Sequence, residues 1–215
     1  MERRRLGIVI PALNEGATIA GVVASVSQYG TPVVVDDGSS DQTAALALAA
    51  GATVVSHPVR RGYDQALNSG FARAAELDCE FVITVDADGQ HDPTMLNVFI
   101  RALEDGADIV IGIRDRQQRF AEHVFSWIAL LRWAIRDPLC GMKAYRIDLY
   151  RELGHFDSYN SIGTELAIFA AETGKKIVQV PVKTRERGDK ARFGNKYSAN
   201  KRIIRSLCFA LLHRG

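Results

Sequence analysis

Residues 81–93 read FVITVDADGQHDP. The run is apolar and β-branched at first and then turns acidic, which is typical of a strand that is buried on both faces and ends at the carboxyl edge of a parallel sheet. Asp92 followed by Pro93 favours a helix start, because proline lacks the N–H group that a first helical position leaves unpaired. The stretch therefore predicts a central strand, then a loop that carries Asp86 and Asp88, then a helix.

Two other apolar runs end in polar turns of the same kind. Residues 6–15 read LGIVIPALNE, and residues 31–41 read TPVVVDDGSSD, with Asp36 and Asp37 at the strand end. A buried strand has no need of adjacent carboxylates at its tip, where unpaired charges cost stability. Because ligands of open α/β sheets bind beyond the carboxyl ends of the strands, these acids are expected to face one crevice.

Strand-like and helix-like segments alternate along the first half of the chain, as in parallel βαβ units. The pattern predicts an α/β fold with a mostly parallel central sheet flanked by helices. Strands are expected near 6–11, 32–36, 52–56, 81–86 and 108–112, with helices near 17–29, 41–50, 63–76 and 93–104. After residue 112 the sequence predicts a helix near 120–136, a strand at 141–146, a helix at 162–172, a strand at 176–182 and a final basic helix.

The two acids of the D-x-D stretch suggest a metal site. Asp86 and Asp88 can reach one divalent cation, and oxygen ligands of this kind suit Mg²⁺ or Mn²⁺. Gln90 would add a neutral oxygen ligand without adding charge. Such a cation would neutralise a diphosphate leaving group as its charge develops. The alternative is a solvated turn or a helix cap, and the other acidic strand ends favour the metal site. Asp37 is a candidate to accept hydrogen bonds from a nucleobase or ribose.

Composition and charge narrow the class of protein. The chain has 215 residues with 47% hydrophobic and 24% charged residues, which is ordinary for a globular α/β domain. Three widely spaced cysteines indicate neither a disulfide framework nor a metal-ligand pattern, and they are interpreted as small buried apolar residues. No secretory signal and no membrane-spanning run is visible, so a cytoplasmic location is expected.

Charge is distributed unevenly along the sequence. Residues 175–215 contain 12 Lys or Arg and 2 Asp or Glu, whereas residues 1–174 contain 15 and 23, so the tail carries +10 and the body −8. An anionic partner is expected for the tail, such as phosphate groups or an acidic membrane surface. Nucleic acid is not expected as the partner, because the tail has few interleaved aromatic residues and the strand ends are acidic.

In family order, five segments resemble glycosyltransferase family 2, and within it the polyprenol-phosphate mannosyl- and glucosyltransferase-like branch. The matching segments cover nearly the whole chain and read PALNEGATI, VVVDDGSSDQT, VDADGQHDP, DPLCGMKAYR and VPVKTRERGDKARFG. The resemblance implies a GT-A fold, a nucleotide-sugar donor and an inverting mechanism.

By position, the resemblance also implies site residues. Asp86, Asp88 and Gln90 would surround the metal, and Arg114 would help to frame the donor together with Ala87. The residues expected to hold the nucleotide are Pro11, Leu13, Glu15, Val35 and Asp37.

Three further candidates lie outside the strand ends. The loop at 185–194 contains two glycines and four basic residues, so it could close over phosphates, and its best matches to the family are Arg185, Lys190 and Arg192. Glu165 is expected near the acceptor as a general base, with favourable placement in a first helical turn as the alternative. His91 is interpreted either as a neighbour of the metal ligands or acceptor, or as a structural histidine.

Two amphipathic segments near 120–135 and 197–213 carry aromatic and basic residues. Such helices can rest on an anionic bilayer, which would place the protein at the inner face of the cell membrane. Packing on the domain or in a homodimer is the alternative. A catalytic domain at 1–195 followed by a basic helix at 196–215 is the expected organisation.

The sequence therefore predicts metal-dependent, inverting transfer of a hexosyl group from a UDP- or GDP-sugar to a polyprenyl phosphate or a glycan. Three alternatives stay open at this point. They are a nucleotide-sugar-binding module without turnover, a nucleotidyltransferase, and a nucleic-acid-binding protein that uses the basic tail. A nucleotidyltransferase usually has a Gly-rich, Arg-containing loop after its first strand, and Pro11 to Glu15 do not match it.

Overall fold

The computed structural model describes residues 5–115, 119–183 and 196–212. Its strands and helices alternate through the first half of the chain as the sequence predicts. The strands are β1 (Leu6–Ala12), β2 (Thr31–Asp36), β3 (Thr53–Ser56), β4 (Phe81–Thr84), β5 (Ile109–Arg114), β6 (Lys143–Arg146) and β7 (Ile177–Val182). The helices are α1 (Ile19–Val26), α2 (Thr43–Ala49), α3 (Tyr63–Glu76), α4 (Leu96–Glu104), α5 (Phe120–Trp133), α6 (Ile147–Leu153), α7 (Glu165–Glu172) and α8 (Lys196–Leu212).

All seven strands form one sheet in the order β3-β2-β1-β4-β6-β5-β7. β1 pairs in parallel with β2 and β4, and β5 pairs in parallel with β7. β6 runs antiparallel to both of its neighbours, β4 and β5. The mostly parallel α/β sheet predicted from the sequence is confirmed, and the carboxyl ends of β1, β2 and β4 meet at one edge.

Helices cover both faces of the sheet, so that each face has its own apolar core. Along β1, Ile8 and Ile10 point into the core shared with α1 and α4, whereas Val9 points into the core shared with α3 and α5. All three side chains are fully buried. Burial of one such side chain stabilises the fold by roughly 1.5–3 kcal/mol, which explains why the central strands are continuous apolar runs.

Several element boundaries differ from the prediction. The helix expected at 162–172 begins at Glu165, because Ile162 and Gly163 have positive φ angles of 60° and 68°, which a right-handed helix excludes. The sequence analysis did not predict α6, which follows β6 without a connecting loop. Asp92 does cap a short 3-10 helix at Pro93–Met95, where its side chain accepts a hydrogen bond from Thr94 N at 3.0 Å.

α8 packs against the body of the domain through its inner face. Ile203, Leu207 and Ala210 are buried in the same core as Phe125 and Trp133 of α5. The expectation that all three cysteines are buried is wrong for one of them, because Cys208 on α8 is exposed, whereas Cys79 and Cys140 are buried. In the described ranges, no helix is long and apolar enough to cross a membrane.

Candidate active site

The loops that follow β1 and β2 are fastened to each other by side-chain hydrogen bonds. Asn14 Oδ1 accepts from Ser40 N, Asn14 N donates to Ser39 Oγ, and Glu15 N donates to Thr43 Oγ1, each at 2.8 Å. Asn14 adopts a φ of 53°, a conformation that asparagine tolerates better than most residues. The two loops therefore form one wall at the carboxyl edge of the sheet.

Three residues expected at the nucleotide, and Ala87, which is expected to help frame the donor, lie at this edge. Pro11 and Val35 are partners in the pairing of β1 with β2. Val35 and Ala87 are buried, whereas Pro11 and Leu13 are half-buried. Ala87 also accepts a hydrogen bond through its carbonyl from Thr18 Oγ1 at 2.8 Å, which ties the loop after β4 to the start of α1. Contacts of Val35 and Ala87 with a ligand are consequently expected through the main chain.

Asp37 is buried and held by three hydrogen-bond donors of the protein. Its Oδ1 accepts from Arg61 N at 2.7 Å and faces His57 Nδ1 at 2.8 Å, and its Oδ2 accepts from Gly62 N at 2.8 Å. His57 Nε2 lies 2.9 Å from Ser69 Oγ on the other side of the ring. Asp37 thus holds the segment before α3 at the carboxyl edge of the sheet.

Replacement of Asp37 by asparagine is expected to destabilise the fold and weaken nucleotide binding together. The new amide N–H₂ would meet one of the main-chain N–H groups that the carboxylate now accepts, and a buried unsatisfied donor costs about 1–3 kcal/mol. Urea denaturation and calorimetric titration with a nucleoside diphosphate measure the two effects. Asp78→Asn is the control, because Asp78 is an exposed acid paired with Arg5. Unchanged stability and binding in Asp37→Asn would contradict this role.

The loop after β4 presents Asp86, Asp88 and Gln90 in one turn. The side chain of Asp86 is 37% exposed, and Asp88 Oδ1 accepts a hydrogen bond from Gln90 N at 3.0 Å. Gly89 allows the turn with a φ of 72°. Gly141 lies against Asp86, since a Cβ atom there would stand 2.5 Å from Oδ2 and 2.9 Å from Oδ1. The main chain before β6 therefore limits where the Asp86 carboxylate can lie.

The loop borders a cavity of about 390 Å³ between α1 and the short helix after Asp92. Its lining includes Asp86, Asp88 and His91 together with apolar residues such as Leu96 and Met142. Within the part of the chain that the structure describes, no group of three His, Cys, Asp or Glu side chains is placed to hold a metal ion. A cation here would need the Gln90 amide and oxygens of a substrate in addition to the two carboxylates.

His91 lies beside the predicted metal ligands and is 8% exposed. Its Nε2 is 3.9 Å from Asp86 Oδ2, and its buried Nδ1 has no hydrogen-bond partner among the described residues. The contact favours the first of the two interpretations of this histidine, a neighbour of a metal ligand.

Arg114, at the end of β5, is engaged by acidic side chains of the protein. Its Nε and Nη2 donate to Asp137 Oδ2 and Oδ1, both at 2.8 Å, and Nη2 is 3.4 Å from Glu122 Oε2. Burial opposes the charged form, yet the hydrogen bonds and charge of Asp137 outweigh it and hold the pKa of Arg114 above its ordinary value. The guanidinium thus fastens β5 to the segment before β6, and its expected contact with a donor stays a prediction.

Glu165 is the first residue of α7, and its carboxylate is bound to the preceding loop. Oε2 accepts from Ser158 N at 2.6 Å, and Oε1 accepts from Ser158 Oγ at 2.7 Å and faces His155 Nε2 at 2.9 Å. These contacts close the loop between α6 and α7. The structure thus gives Glu165 a loop-closing role at the helix start, and its expected role as a base stays a prediction.

The sequence analysis missed a buried polar group between α3, β6 and the loop before α7. Lys143 Nζ donates to the carbonyl of Gly163 at 2.9 Å, and Gly163 N donates to Asp64 Oδ1 at 2.7 Å. Burial lowers the pKa of Lys143 to about 8. The sequence spacing could have indicated that both residues are buried. Lys143 lies two residues before the buried Tyr145, on the same face of β6, and Asp64 lies three residues before the buried Leu67, on the same face of α3.

Asp64 is expected to make the stability of the protein depend on pH. Burial and the nearby charge of Asp157 raise the pKa of Asp64 from 3.8 to about 6 in the folded state. The folded protein then binds the proton more tightly than the unfolded chain, so this group stabilises the fold fully below pH 4. That contribution, about 3 kcal/mol, is lost as the pH rises to 6 and above.

Asp64→Asn removes this titration and leaves an oxygen that can accept from Gly163 N. The difference in unfolding free energy between the variant and the wild type is expected to change with pH. It should be about 3 kcal/mol more favourable to the variant at pH 7 than at pH 4. Urea denaturation across that range measures the difference, with the C-cap residue Asp105 of α4, replaced by asparagine, as the control. Parallel stability curves for wild type and Asp64→Asn would show that Asp64 does not titrate in this window.

Three basic residues of the predicted site, Arg185, Lys190 and Arg192, lie outside the described residues. Their expected contacts with phosphate stay predictions.

Comparison with known proteins identifies the family and the fold. The model described as "Glycosyl transferase family 2" matches residues 7–154. A dolichyl-phosphate hexose transferase of Haloferax volcanii is 30% identical over 195 residues, which cover 85% of this chain and 83% of that protein. An undecaprenyl-phosphate 4-deoxy-4-formamido-L-arabinose transferase of Edwardsiella ictaluri is 30% identical over 203 residues, which cover 85% of this chain and 60% of that protein.

Among solved structures, the chain is similar to a glucosyl-3-phosphoglycerate synthase from Mycobacterium tuberculosis in complex with Mn²⁺ and UDP-glucose. The TM-score is 0.79 at 24% identity, and the similarity covers 99% of this chain and 80% of that one. The likeness extends over the whole sheet and its helices, and it confirms the GT-A fold expected from the sequence.

Proposed function

Because the chain belongs to glycosyltransferase family 2 and is a glycosyltransferase, we propose that it transfers a hexosyl group from a UDP- or GDP-sugar to a polyprenyl phosphate, with inversion and with the help of a divalent cation. The observation that carries the proposal is the meeting of three polar strand ends at one edge of the sheet. There the Asp86 carboxylate is partly exposed beside Asp88, next to the wall built by the loops after β1 and β2.

The residues of the loop after β4 fit a cation such as Mg²⁺ or Mn²⁺. Asp86, Asp88 and Gln90 offer two carboxylates and one amide, and hard divalent cations prefer such oxygen ligands. A bound cation would offset the charge that develops on a diphosphate leaving group. The structurally similar synthase was crystallised with Mn²⁺ and UDP-glucose, which supports the same class of cofactor and donor for this chain.

The nucleotide is proposed to lie along the wall formed by the loops after β1 and β2. Pro11, Leu13, Glu15 and Val35 border that wall, and Asp37 directly follows β2 beside it. Asp37 also holds Arg61 and Gly62 in place, so it shapes the nucleotide site as well as contacting the ligand. Arg114 is proposed to frame the donor from the end of β5, together with Ala87.

A lipid phosphate is the favoured acceptor, and a glycan is the alternative. The resemblance to the polyprenol-phosphate branch is confirmed by two relatives named as transferases for dolichyl phosphate and undecaprenyl phosphate. A phosphate is already ionised near neutral pH and needs no general base, whereas a sugar hydroxyl does. The oxygens of Glu165 are occupied by Ser158 and His155, which leaves less room for a substrate hydroxyl.

With such an acceptor, Glu165 would shape the acceptor side of the site, and it would serve as the base only for a glycan. Arg185, Lys190 and Arg192 are proposed to clamp the phosphates of the donor or the acceptor.

A panel of UDP-, GDP- and CMP-sugars tests the proposal. Each donor is incubated with the protein and Mn²⁺, Mg²⁺ or EDTA, with and without a short-chain polyprenyl phosphate. We expect one donor to release nucleoside diphosphate only when a divalent cation is present, and to label the lipid. A parallel incubation supplies a nucleoside triphosphate and a sugar 1-phosphate, and release of pyrophosphate there would instead identify a nucleotidyltransferase. Metal-dependent binding of a donor without turnover on either a lipid or a glycan acceptor would indicate a binding module.

A further inference from the structure

α5 has an outward face that carries several large apolar side chains. The inward face contributes residues such as Phe125 and Ala129 to the core. On the outward face, Phe120 is 79%, Trp127 65% and Leu131 68% exposed. These three residues are spaced by seven and four positions, so they lie along one side of the helix. A helix that is apolar all round is normally covered on both sides.

α8 continues the apolar surface beside α5. The two helices contact each other, and both turn their inner faces to the same core, so their outer faces lie on the same side of the molecule. Ile204, Leu211 and Leu212 are exposed on α8. Of the ten exposed large hydrophobic side chains in the described residues, seven lie on α5 and α8. Single exposed apolar residues are common on protein surfaces, whereas such a concentration marks a contact surface.

The exposed Lys and Arg side chains of α5 and α8 are not balanced by an exposed acid on either helix. Lys201 and Arg205 are exposed on α8, and Arg132 is exposed near the end of α5. α5 contains one acid, Glu122, which is buried, and α8 contains none. In a symmetric dimer through this face, the basic side chains of one copy would lie near those of the other, because a two-fold axis pairs a patch with itself. An anionic partner suits the surface better than a second copy does.

We propose that the outer faces of α5 and α8 form a docking surface for an anionic lipid bilayer. Trp127, Phe120 and Leu131 enter the boundary between headgroups and acyl chains, where tryptophan and other large apolar side chains are favoured. Lys201 and Arg205 bind the negative headgroups. The surface needs neither donor nor cation to bind, so it stands apart from the proposed reaction.

Trp127 itself reports the contact. The chain has two tryptophans, and Trp133 is buried and donates to Glu172 Oε1 at 3.0 Å, so Trp133→Phe leaves Trp127 as the single exposed probe. Vesicles of phosphatidylcholine with phosphatidylglycerol are expected to shift its emission to shorter wavelength, and brominated acyl chains to quench it. Vesicles of phosphatidylcholine alone are expected to bind the protein about tenfold or more weakly, because the basic side chains then have no anionic partner.

Two sets of substitutions separate the apolar and the charged contributions. The combined change of Phe120, Trp127 and Leu131 to serine is expected to lower co-sedimentation with the mixed vesicles by about a hundredfold or more. The double change of Lys201 and Arg205 to glutamine is expected to lower co-sedimentation with the mixed vesicles by about tenfold. It is also expected to make this binding less sensitive to salt. A matched control changes three exposed apolar residues elsewhere to serine, Leu48, Val59 and Val98, and is expected to bind as wild type does.

Binding of the wild type that is equal for both kinds of vesicle, or absent for both, would overturn the proposal. A dimeric wild type together with a monomeric triple serine variant, as measured by sedimentation velocity, would also overturn the proposal. A second copy of the chain would then cover the surface. Vesicle binding is measured without any sugar nucleotide. Failure of the docking surface therefore leaves the transfer reaction open to test with a short-chain acceptor, and failure of transfer leaves the docking result intact.

Discussion

Asp88→Ala is expected to lower the rate of sugar transfer by about a thousandfold or more, while the protein stays folded. The proposed cation stabilises the leaving diphosphate by several kcal/mol, and each 1.4 kcal/mol corresponds to about tenfold in rate. Asp88 is half-buried in a turn at the edge of the sheet, so its replacement is expected to change the unfolding free energy by about 1 kcal/mol or less. Initial rates measured against Mn²⁺ concentration give both the loss of rate and the change in apparent metal affinity.

The matched control is Asp148→Ala on α6, which removes an exposed acid paired with Arg151. Its rate and its Mn²⁺ dependence are expected to equal those of the wild type. A variant at Asp88 with an unchanged Mn²⁺ dependence would remove the D-x-D loop from the mechanism, even if its rate were somewhat lower.

Gly141→Ala is expected to lower kcat/KM by about a hundredfold, because a misplacement of roughly 1 Å in a catalytic geometry can have this effect. The added methyl would lie 2.5 Å from Oδ2 of Asp86, closer than such atoms approach, and the carboxylate would have to move. The hydrogen bond from Thr84 Oγ1 to the carbonyl of Gly141, at 2.6 Å, holds the main chain in place, so the side chain of Asp86 is the part that gives way.

Gly21→Ala serves as the comparison for the same chemical change. Nothing lies within 4 Å of the position that its new Cβ atom would take, and Gly21 is in the interior of α1. That variant is expected to gain about 0.5–1 kcal/mol in stability, since alanine is the better helix former. Gly21 also lines the cavity, so its activity measures the effect of a methyl group there that does not touch Asp86, and the loss is expected to be much smaller than for Gly141→Ala. Equal activity of Gly141→Ala and wild type would show that the position of Asp86 is not critical.

The order of strands and helices in the first half of the chain could be predicted because burial there gives a clear pattern of apolar and polar residues in the sequence. Strands buried on both faces must be continuously apolar, as in residues 32–35, and the polar residues then fall at the strand ends. Parallel strands place those ends at one edge, so the position of Asp37 and Asp86 at that edge also followed from the pattern. The family resemblance added the identity of the fold, which periodicity alone does not give.

The second half was less predictable because its segments are short and carry ambiguous patterns. β6 has four residues, and nothing in its sequence distinguishes an antiparallel from a parallel strand. α6 follows it directly, so no turn residue marks the boundary. The start of α7 depends on Ile162 in a left-handed conformation, which sequence patterns do not indicate for a β-branched residue.

The partners of the site residues were the least predictable feature. Residue types suggested that Asp37, Arg114 and Glu165 contact ligands. In the structure each of them is engaged by groups of the protein itself, and several of these groups come from distant parts of the sequence. A sequence pattern can identify a charged residue at the right edge of the sheet, but the hydrogen bonds that it makes depend on the tertiary fold.

The small number of carboxylates around Asp86 has a consequence for the binding of a cation. A Mg²⁺ ion takes about six oxygen ligands, and the loop after β4 can provide about half of them. The remainder must come from water and from the diphosphate of the donor. Metal and nucleotide sugar then strengthen each other's binding by the same factor, since linkage between two ligands is reciprocal. Asp86, Asp88 and Gln90 alone would hold a cation only loosely, so we expect its affinity for the protein to rise when a nucleotide sugar is bound.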